Sequence, residues 1–355
     1  LKNLDLLLLT PVIILVVLSL VTLFSLNIIF FYGQSILFLL SFVIFLIFSQ
    51  TNYLVLKLYS KHIYIFSIII LLFVLLIGIE SRGAVRWVEI LGFRLQFSEI
   101  LKPILAISLA SYLSSLKILN LKNFINTFLF LSPIVILIFL QPDLGNAIIY
   151  FLIVFLTAIY LGFPIRHFIV SFLPFLLAAP FLWRFLHDYQ KQRILTFINP
   201  SLDPLGTSYN VIQSIIAVGS GMLMGKGIGQ GTQSSLKFLP ERQTDFIFAT
   251  ISEQLGFIGV IIILICFSLL LYRILQIIFN TNDNFSKILL VIVFFAFLTQ
   301  IFINIGMNLG LLPIVGVTLP FVSYGGSSLL SNFIFLGLVN TISNYSKENK
   351  VLEIR

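Results

Sequence analysis

The chain has 355 residues, of which 59% are hydrophobic and only 10% are Asp, Glu, Lys or Arg, against about 25% charged in soluble globular proteins. This excludes a coiled coil, a disordered chain, a disulfide scaffold and an ordinary cytosolic enzyme; the apolar share, about 209 residues, suffices for about ten membrane spans of about 20 residues each. The formal charge of +8 could suggest nucleic acid, but in a membrane protein the bias of basic residues to the inner side explains part of it, and a site must explain the rest.

Apolar runs near 6–26, 35–50, 63–79, 99–116, 125–140, 146–163, 168–185, 246–272, 288–307 and 327–343 predict an all-α integral membrane protein, a polytopic bundle of about ten transmembrane helices forming one domain over 1–355. The first run has no charge and no small-residue cleavage pattern behind it, so it reads as an anchor. With the N-terminus inside, the inner segments carry Lys2, Lys57, Lys61, Lys117, Lys122, Arg166, Arg273, Lys287, Lys347, Lys350 and Arg355, while outer loops 27–34, 141–145 and 306–326 carry no Lys or Arg. Both termini are therefore expected in the cytoplasm. Two outer stretches break that pattern, 80–102 and 184–242, and nine of the thirteen acids share the outer face with their cations. The lone cysteine, Cys266, lies in an apolar run and reads as packing.

Between the seventh and eighth spans lies a loop of about 60 residues, 186–245, far longer than an ordinary connection. Within it Val211–Val218 reads as a short interfacial helix, followed by Gly219, Gly221, Gly225, Gly227, Gly229 and Gly231.

Five constellations could carry chemistry. In Leu239-Pro-Glu-Arg-Gln-Thr-Asp-Phe246, Glu241, Arg242 and Asp245 precede an apolar helix; an acid there meets the positive end of the helix dipole. It is either a cap with a solvated pair or a carboxylate base beside phosphate-binding cations. Glu253 follows about 12 Å deeper, where a buried acid must line a polar cavity or be penalised alone. Arg86 beside Trp87 is an interfacial anchor or a headgroup ligand, and Glu99 and Lys102, three apart, share a helix face as a structural or functional pair. Asp143 in Gln141-Pro-Asp-Leu-Gly145 caps a helix or joins the other acids. Arg193 and the glycine-rich run around Lys226 offer cations and main-chain N–H groups suited to a diphosphate. Finally, Met307-Asn308 through Pro313 and Gly316 to Ser323, Tyr324, Ser327 and Ser328 is irregular chain at membrane depth, which must be buried in protein or line a cavity.

Together Gly83–Trp87, Phe97–Pro103, Gln141–Gly145, Arg193–Gly227, Leu239–Ala249 and Leu312–Ser328 resemble the signature blocks of the SEDS family of bacterial cell-wall polymerases, in family order over most of the chain. Phe238-Leu-Pro-Glu-Arg, Asn199-Pro-Ser-Leu-Asp-Pro-Leu-Gly and Leu319-Pro-Phe-Val-Ser-Tyr-Gly-Gly-Ser-Ser are closer to its rod-shape branch than to its division branch. Gln243 and Gln254 depart from the family, where His and Glu are common.

The resemblance implies a ten-helix peptidoglycan glycosyltransferase that joins lipid II units into β-1,4 glycan at the outer face of the bacterial cytoplasmic membrane, for elongation and rod shape. It implies that Asp245 is required for polymerisation and that Glu99, Lys102, Asp143 and Glu241 shape the central cavity. It also implies a class B penicillin-binding protein and elongation-complex membrane proteins as partners, alongside lipid II and the growing undecaprenyl-diphosphate-linked strand, and no nucleic acid. In the mechanism expected from the chemistry, Asp245 takes a proton from the acceptor hydroxyl. Cations drawn from Arg86, Arg193, Lys226 and Arg242 hold the diphosphates. A divalent cation, Mg or Mn, shared by Asp245 with Glu241 or Asp143 stays open. The competing readings are a lipid II flippase or transporter, a division-type polymerase, and a noncatalytic membrane scaffold; a transporter would need polar groups along a path through the bilayer.

Overall fold

Short polar residues start several of the helices. Asn27, Asn52, Asn120, Asp143 and Asp283 each stand outside a helix and accept a hydrogen bond from a main-chain N–H two or three residues on, satisfying donors that a helix start leaves free. The computed structural model describes residues 4–81, 84–90, 93–185, 191–192, 195–197 and 208–353. Its elements in chain order are α1 (Leu6–Leu26), α2 (Ile28–Gln50), α3 (Tyr53–Leu58), α4 (Ser60–Ile77), β1 (Ile79–Ser81), β2 (Ala84–Ile90), β3 (Phe93–Leu95), α5 (Phe97–Ser114), α6 (Leu121–Leu140), α7 (Leu144–Leu161), α8 (Ile165–Phe185), α9 (Tyr209–Ser220), α10 (Thr232–Ser235), α11 (Ile247–Asn280), α12 (Asn284–Asn308) and α13 (Gly326–Glu353). Among the described residues nine helices are long and apolar enough to cross a membrane, and the 21-residue α8 is a further long helix at the seventh predicted span. The protein is a multi-pass helical membrane protein.

Three expectations need correction. The outer loop 27–34 is almost entirely helix, because Asn27 caps α2 directly after α1 ends. The chain between α4 and α5 is not merely a charged loop: β1–β2–β3 form a small antiparallel sheet, with Val88 opposite Leu95 and Glu80 opposite Val85. The eighth span is longer than expected. It runs through a break at Gly256 (φ 64, ψ −156), where a left-handed residue interrupts the helix.

α12 and α13 form the centre. Of their most apolar windows 72% and 89% of residues are buried, against 17% and 22% for α2 and α4, so the latter face lipid. α2 lies along α13, α1 along α11, and α5 and α7 flank α12. α13 packs through buried apolar side chains such as Phe333, Phe335 and Leu336, and polar bonds add to them. Thr341 donates to the Phe48 carbonyl at 2.9 Å, and Asn340 accepts the Asp5 N–H at 2.9 Å, the kind of polar bond that holds helices together where lipid offers none. Asp5 also takes Arg273 at 2.6 Å and Ser343 at 3.0 Å. This buried staple puts the start of α1 and the second half of α13 at one end of the bundle.

Candidate active site

At the other end, the turn 241–246 carries Asp245 into α11. Its carbonyls are gripped one after another. The Glu241 carbonyl accepts from the N–H groups of Thr244 (3.0 Å) and Phe246 (3.2 Å), and that of Arg242 from the Thr250 hydroxyl (3.0 Å). The Gln243 carbonyl takes the Tyr324 N–H (2.8 Å), and the Thr244 carbonyl the Ser323 hydroxyl (2.7 Å). The Asp245 carbonyl receives two amides, Asn304 Nδ2 at 3.1 Å and Asn308 Nδ2 at 3.0 Å. Phe246 and Leu239, each 1% exposed, anchor the turn against Ala217 and Ala249. Asn308 Oδ1 in addition accepts the Ala249 N–H at 3.1 Å, capping the first turn of α11 from another helix.

A backbone fixed at five successive carbonyls holds a side chain in place before any ligand arrives, which is what catalytic geometry requires. The Asp245 side chain is half-buried and faces Gly316: a Cβ built there would lie 3.6 Å from Asp245 Oδ2. Gly316 has φ 73, a backbone conformation open to glycine at little cost.

The second acid belongs to a different cluster. Asp143, 1% exposed, accepts from Gln96 Nε2 (2.6 Å), the Ser98 hydroxyl (2.8 Å) and Asn146 Nδ2 (2.9 Å), and pairs with Arg86 at 3.6 Å. Glu99 and Lys102 meet at 2.8 Å, both buried, and Pro103 lacks the N–H that would close on the Glu99 carbonyl. The Tyr150 hydroxyl donates to the Ser98 carbonyl at 3.0 Å. The run 314–317 joins the two clusters. A Cβ on Gly145 would stand 2.4 Å from the Val315 carbonyl oxygen, so Asp143's turn abuts one residue of the run and Asp245 the next.

The third cluster alters the reading of the glycine-rich segment. The N–H groups of Lys226 and Gly227 donate to the carbonyls of Glu253 (2.9 Å) and Gln254 (3.0 Å), and those of Phe257 and Ile258 donate back to Met222 and Leu223. The segment thus pairs with α11 where Gly256 breaks it, and these two amides are not open to a diphosphate as expected. The Lys226 ammonium is committed as well, to Thr232 at 2.8 Å and Glu253 at 3.5 Å. Glu253, fully buried, also accepts the N–H groups of Gln233 (2.8 Å) and Ser234 (2.9 Å). The buried acid therefore lies in a polar pocket, as a clasp between loop and span.

Of the candidate cations, Arg86, Lys102 and Lys226 are each tied to a carboxylate, and Arg193 lies outside the described residues. Arg242, three residues before Asp245, has no side-chain partner among the described residues; its Nε is buried, and burial lowers its pKa. Glu241 lies in the same turn, with Oε2 3.1 Å from the Thr244 hydroxyl. Among the described residues no group of three or more His, Cys, Asp or Glu could hold a metal. Asp143 is already saturated by five groups, so a resident divalent ion shared by Asp245 and Asp143 does not fit.

Sequence reasoning missed Gln96, Asn146, Tyr150 and Asn304 as parts of these clusters. A signal existed for the last: Asn304 and Asn308 stand four apart on one face of an apolar helix, and polar side chains inside a span mark function by default.

Comparison with known proteins agrees with this architecture. The FtsW/RodA/SpoVE family, described as cell cycle protein, matches residues 2–348. The chain is 40% identical over 296 residues to the peptidoglycan glycosyltransferase MrdB of Escherichia coli (strain K12), covering 81% of this chain and 79% of that protein. It is 36% identical over 311 residues to stage V sporulation protein E of Bacillus subtilis (strain 168), covering 84% and 82%. A chain solved in a study of a peptidoglycan synthase complex that coordinates polymerization and crosslinking superposes with a TM-score of 0.84 at 29% identity, over 97% of this chain and 98% of that one. The rod shape determining protein RodA of Thermus thermophilus gives 0.73 at 27% identity, over 96% and 97%. A bundle of apolar spans with its polar chemistry gathered at one end, matched over nearly its whole length, belongs to the FtsW/RodA/SpoVE family.

Proposed function

We infer that this chain is a peptidoglycan glycosyltransferase that polymerises lipid II into β-1,4 glycan, with Asp245 as the general base. One observation carries the reading: a carboxylate on a turn whose carbonyls are each bonded, beside a glycine, with the guanidinium of Arg242, unpartnered among the described residues, three residues away. The donor is a glycosyl lipid diphosphate, whose leaving group departs as an anion and needs a cation more than a proton. Asp245 takes the acceptor hydroxyl proton, that oxygen bonds to the anomeric carbon, and the bond from this carbon to the diphosphate oxygen breaks with Arg242 steadying the charge. A single displacement of this kind inverts the anomeric centre with one base.

The inward bias of basic residues supports a topology with both termini in the cytoplasm and the site outside. The polyprenyl tails would lie against the exposed apolar side chains of the spans. Arg86, Glu99, Lys102, Asp143, Lys226 and Glu253 then act as framework, holding the elements around the base. The peptide crosslinks would come from a class B penicillin-binding protein, and other elongation-complex membrane proteins would assemble with the pair.

The reading is tested by glycan synthesis from purified lipid II, with the crosslinking partner present, by the wild type and by Asp245→Asn. Polymer from the wild type alone is expected; equal polymer from both rejects the base assignment. Translocation of lipid II without polymer by the wild type would favour a flippase.

A further inference from the structure

From Pro313 to Leu319 the chain runs without helix, turn or bend, half-buried except where Val317 and Leu319 are fully covered. It is fixed from several sides. The Val315 carbonyl abuts Gly145, Asn304 Nδ2 donates to the Val317 carbonyl at 2.7 Å, and the Thr318 and Ser328 hydroxyls bond at 2.7 Å. None of these fixings uses a main-chain N–H of the run. The N–H groups of Ile314, Val315, Gly316, Val317 and Thr318 have no hydrogen-bond partner within the described chain. A half-buried peptide N–H without a partner in the chain bonds to water or to a ligand. On a run so firmly positioned, whichever of these N–H groups face Asp245 are donors to which an amide of another molecule can add. At its centre Gly316 leaves open the space that a side chain would fill next to Asp245 Oδ2.

We propose that this run recognises the acetamido group of the acceptor aminosugar, main-chain groups around Gly316 bonding its amide while Asp245 draws the proton from a hydroxyl of the same ring. The inference rests on the polymerase reading and deepens it. Hydroxyl and acetamide sit on one pyranose, so a ring seated on Asp245 presents its amide within about two residues of chain, at about 3.3 Å each. A site built to bond an amide discriminates against an analogue without it, because its own polar groups are then left unpaired.

The test compares two lipid-diphosphate disaccharides that differ only at C2 of the accepting sugar, one with acetamide and one with hydroxyl. Each is bound to Asp245→Asn protein in lipid nanodiscs and coupled in a single turnover by the wild type. The hydroxyl analogue is expected to bind about 5- to 10-fold more weakly, the weight of one hydrogen bond, and to couple correspondingly less. With Gly316→Ala added, that ratio should fall toward one, whereas Leu311→Ala, exposed and outside the run, should preserve it. Equal binding and equal coupling of the two substrates by protein with Gly316 intact overturns the proposal, and this comparison needs no variant that could misfold. Discrimination in binding without any coupling by the wild type would instead overturn the polymerase reading and leave the recognition edge standing.

Discussion

Replacing Asn304 by alanine removes an amide that two carbonyls share. Asn304 Nδ2 donates to the Val317 carbonyl at 2.7 Å and to the Asp245 carbonyl at 3.1 Å, and so holds Asp245, the proposed base, and the run carrying Gly316 at a set separation. The Asp245 carbonyl keeps a second donor, Asn308, at 3.0 Å. The Val317 carbonyl, on a residue only 3% exposed, keeps none among the described residues. Leaving a buried acceptor unpaired costs about 1–3 kcal/mol, so the variant is expected to fold with a measurably lower Tm. The larger effect falls on the reaction, since a shift of about 1 Å between base and acceptor can cost about 100-fold in rate. We expect kcat for glycan synthesis to fall about 10- to 100-fold with KM for lipid II nearly unchanged, measured in proteoliposomes containing the crosslinking partner. Asn304→Asp, which sets a carboxylate against two carbonyls, should be worse. A kcat within twofold of wild type for Asn304→Ala would refute the idea that this amide positions the base.

Glu253→Ala leaves the Lys226 ammonium and two N–H groups without their acceptor. The two N–H groups lose their acceptor at about 1–3 kcal/mol each, while the partly exposed Lys226 ammonium turns to water, and hydrogen exchange should show protection lost across 226–235 well before α12 opens; unchanged exchange there would remove the clasp. At Gly256 a Cβ would stand 2.3 Å from the Gly225 N and 2.6 Å from the Leu223 carbonyl oxygen, at φ 64. Gly256→Ala is therefore expected to cost more than the about 1–3 kcal/mol of backbone strain alone and to separate the glycine-rich segment from α11, detectable as a large Tm loss or failure to purify as a monodisperse protein. Arg242→Ala should leave Tm within a degree or two, since its guanidinium bonds to nothing among the described residues. It should lower kcat/KM by at least about 10-fold, the weight of one charged hydrogen bond, with Arg242→Lys recovering part; wild-type kinetics for the alanine variant would place the diphosphate elsewhere.

Much of the fold was legible because a lipid environment leaves few choices. A run such as Ile261–Leu271 can hide its peptide groups only in a helix, and about 20 such residues define a span regardless of neighbours. Asp245, Glu253 and Asp143 were legible for the same reason, as charges retained against a cost. The sheet at 79–95 was not. Its strands are three and seven residues long, too short for alternation to be told from a charged loop.

The partnerships of the charges were also hidden, because they join residues far apart in sequence. Nothing near Lys226 tells that Glu253 will claim it, nor near Arg86 that Asp143 will, and a cation so claimed is part of the framework while Arg242 is left unpartnered among the described residues. Composition and hydrophobic period thus determined the spans and the end of the bundle where charge gathers, because each depends on transfer from water to lipid, residue by residue, while the choice of Asp245 among the acids there came from the family resemblance. Only the packed structure decided which carbonyls hold that acid still, which N–H groups beside it stay open, and which cation is unspent, because a hydrogen bond is made between groups whose distance no local stretch of chain contains.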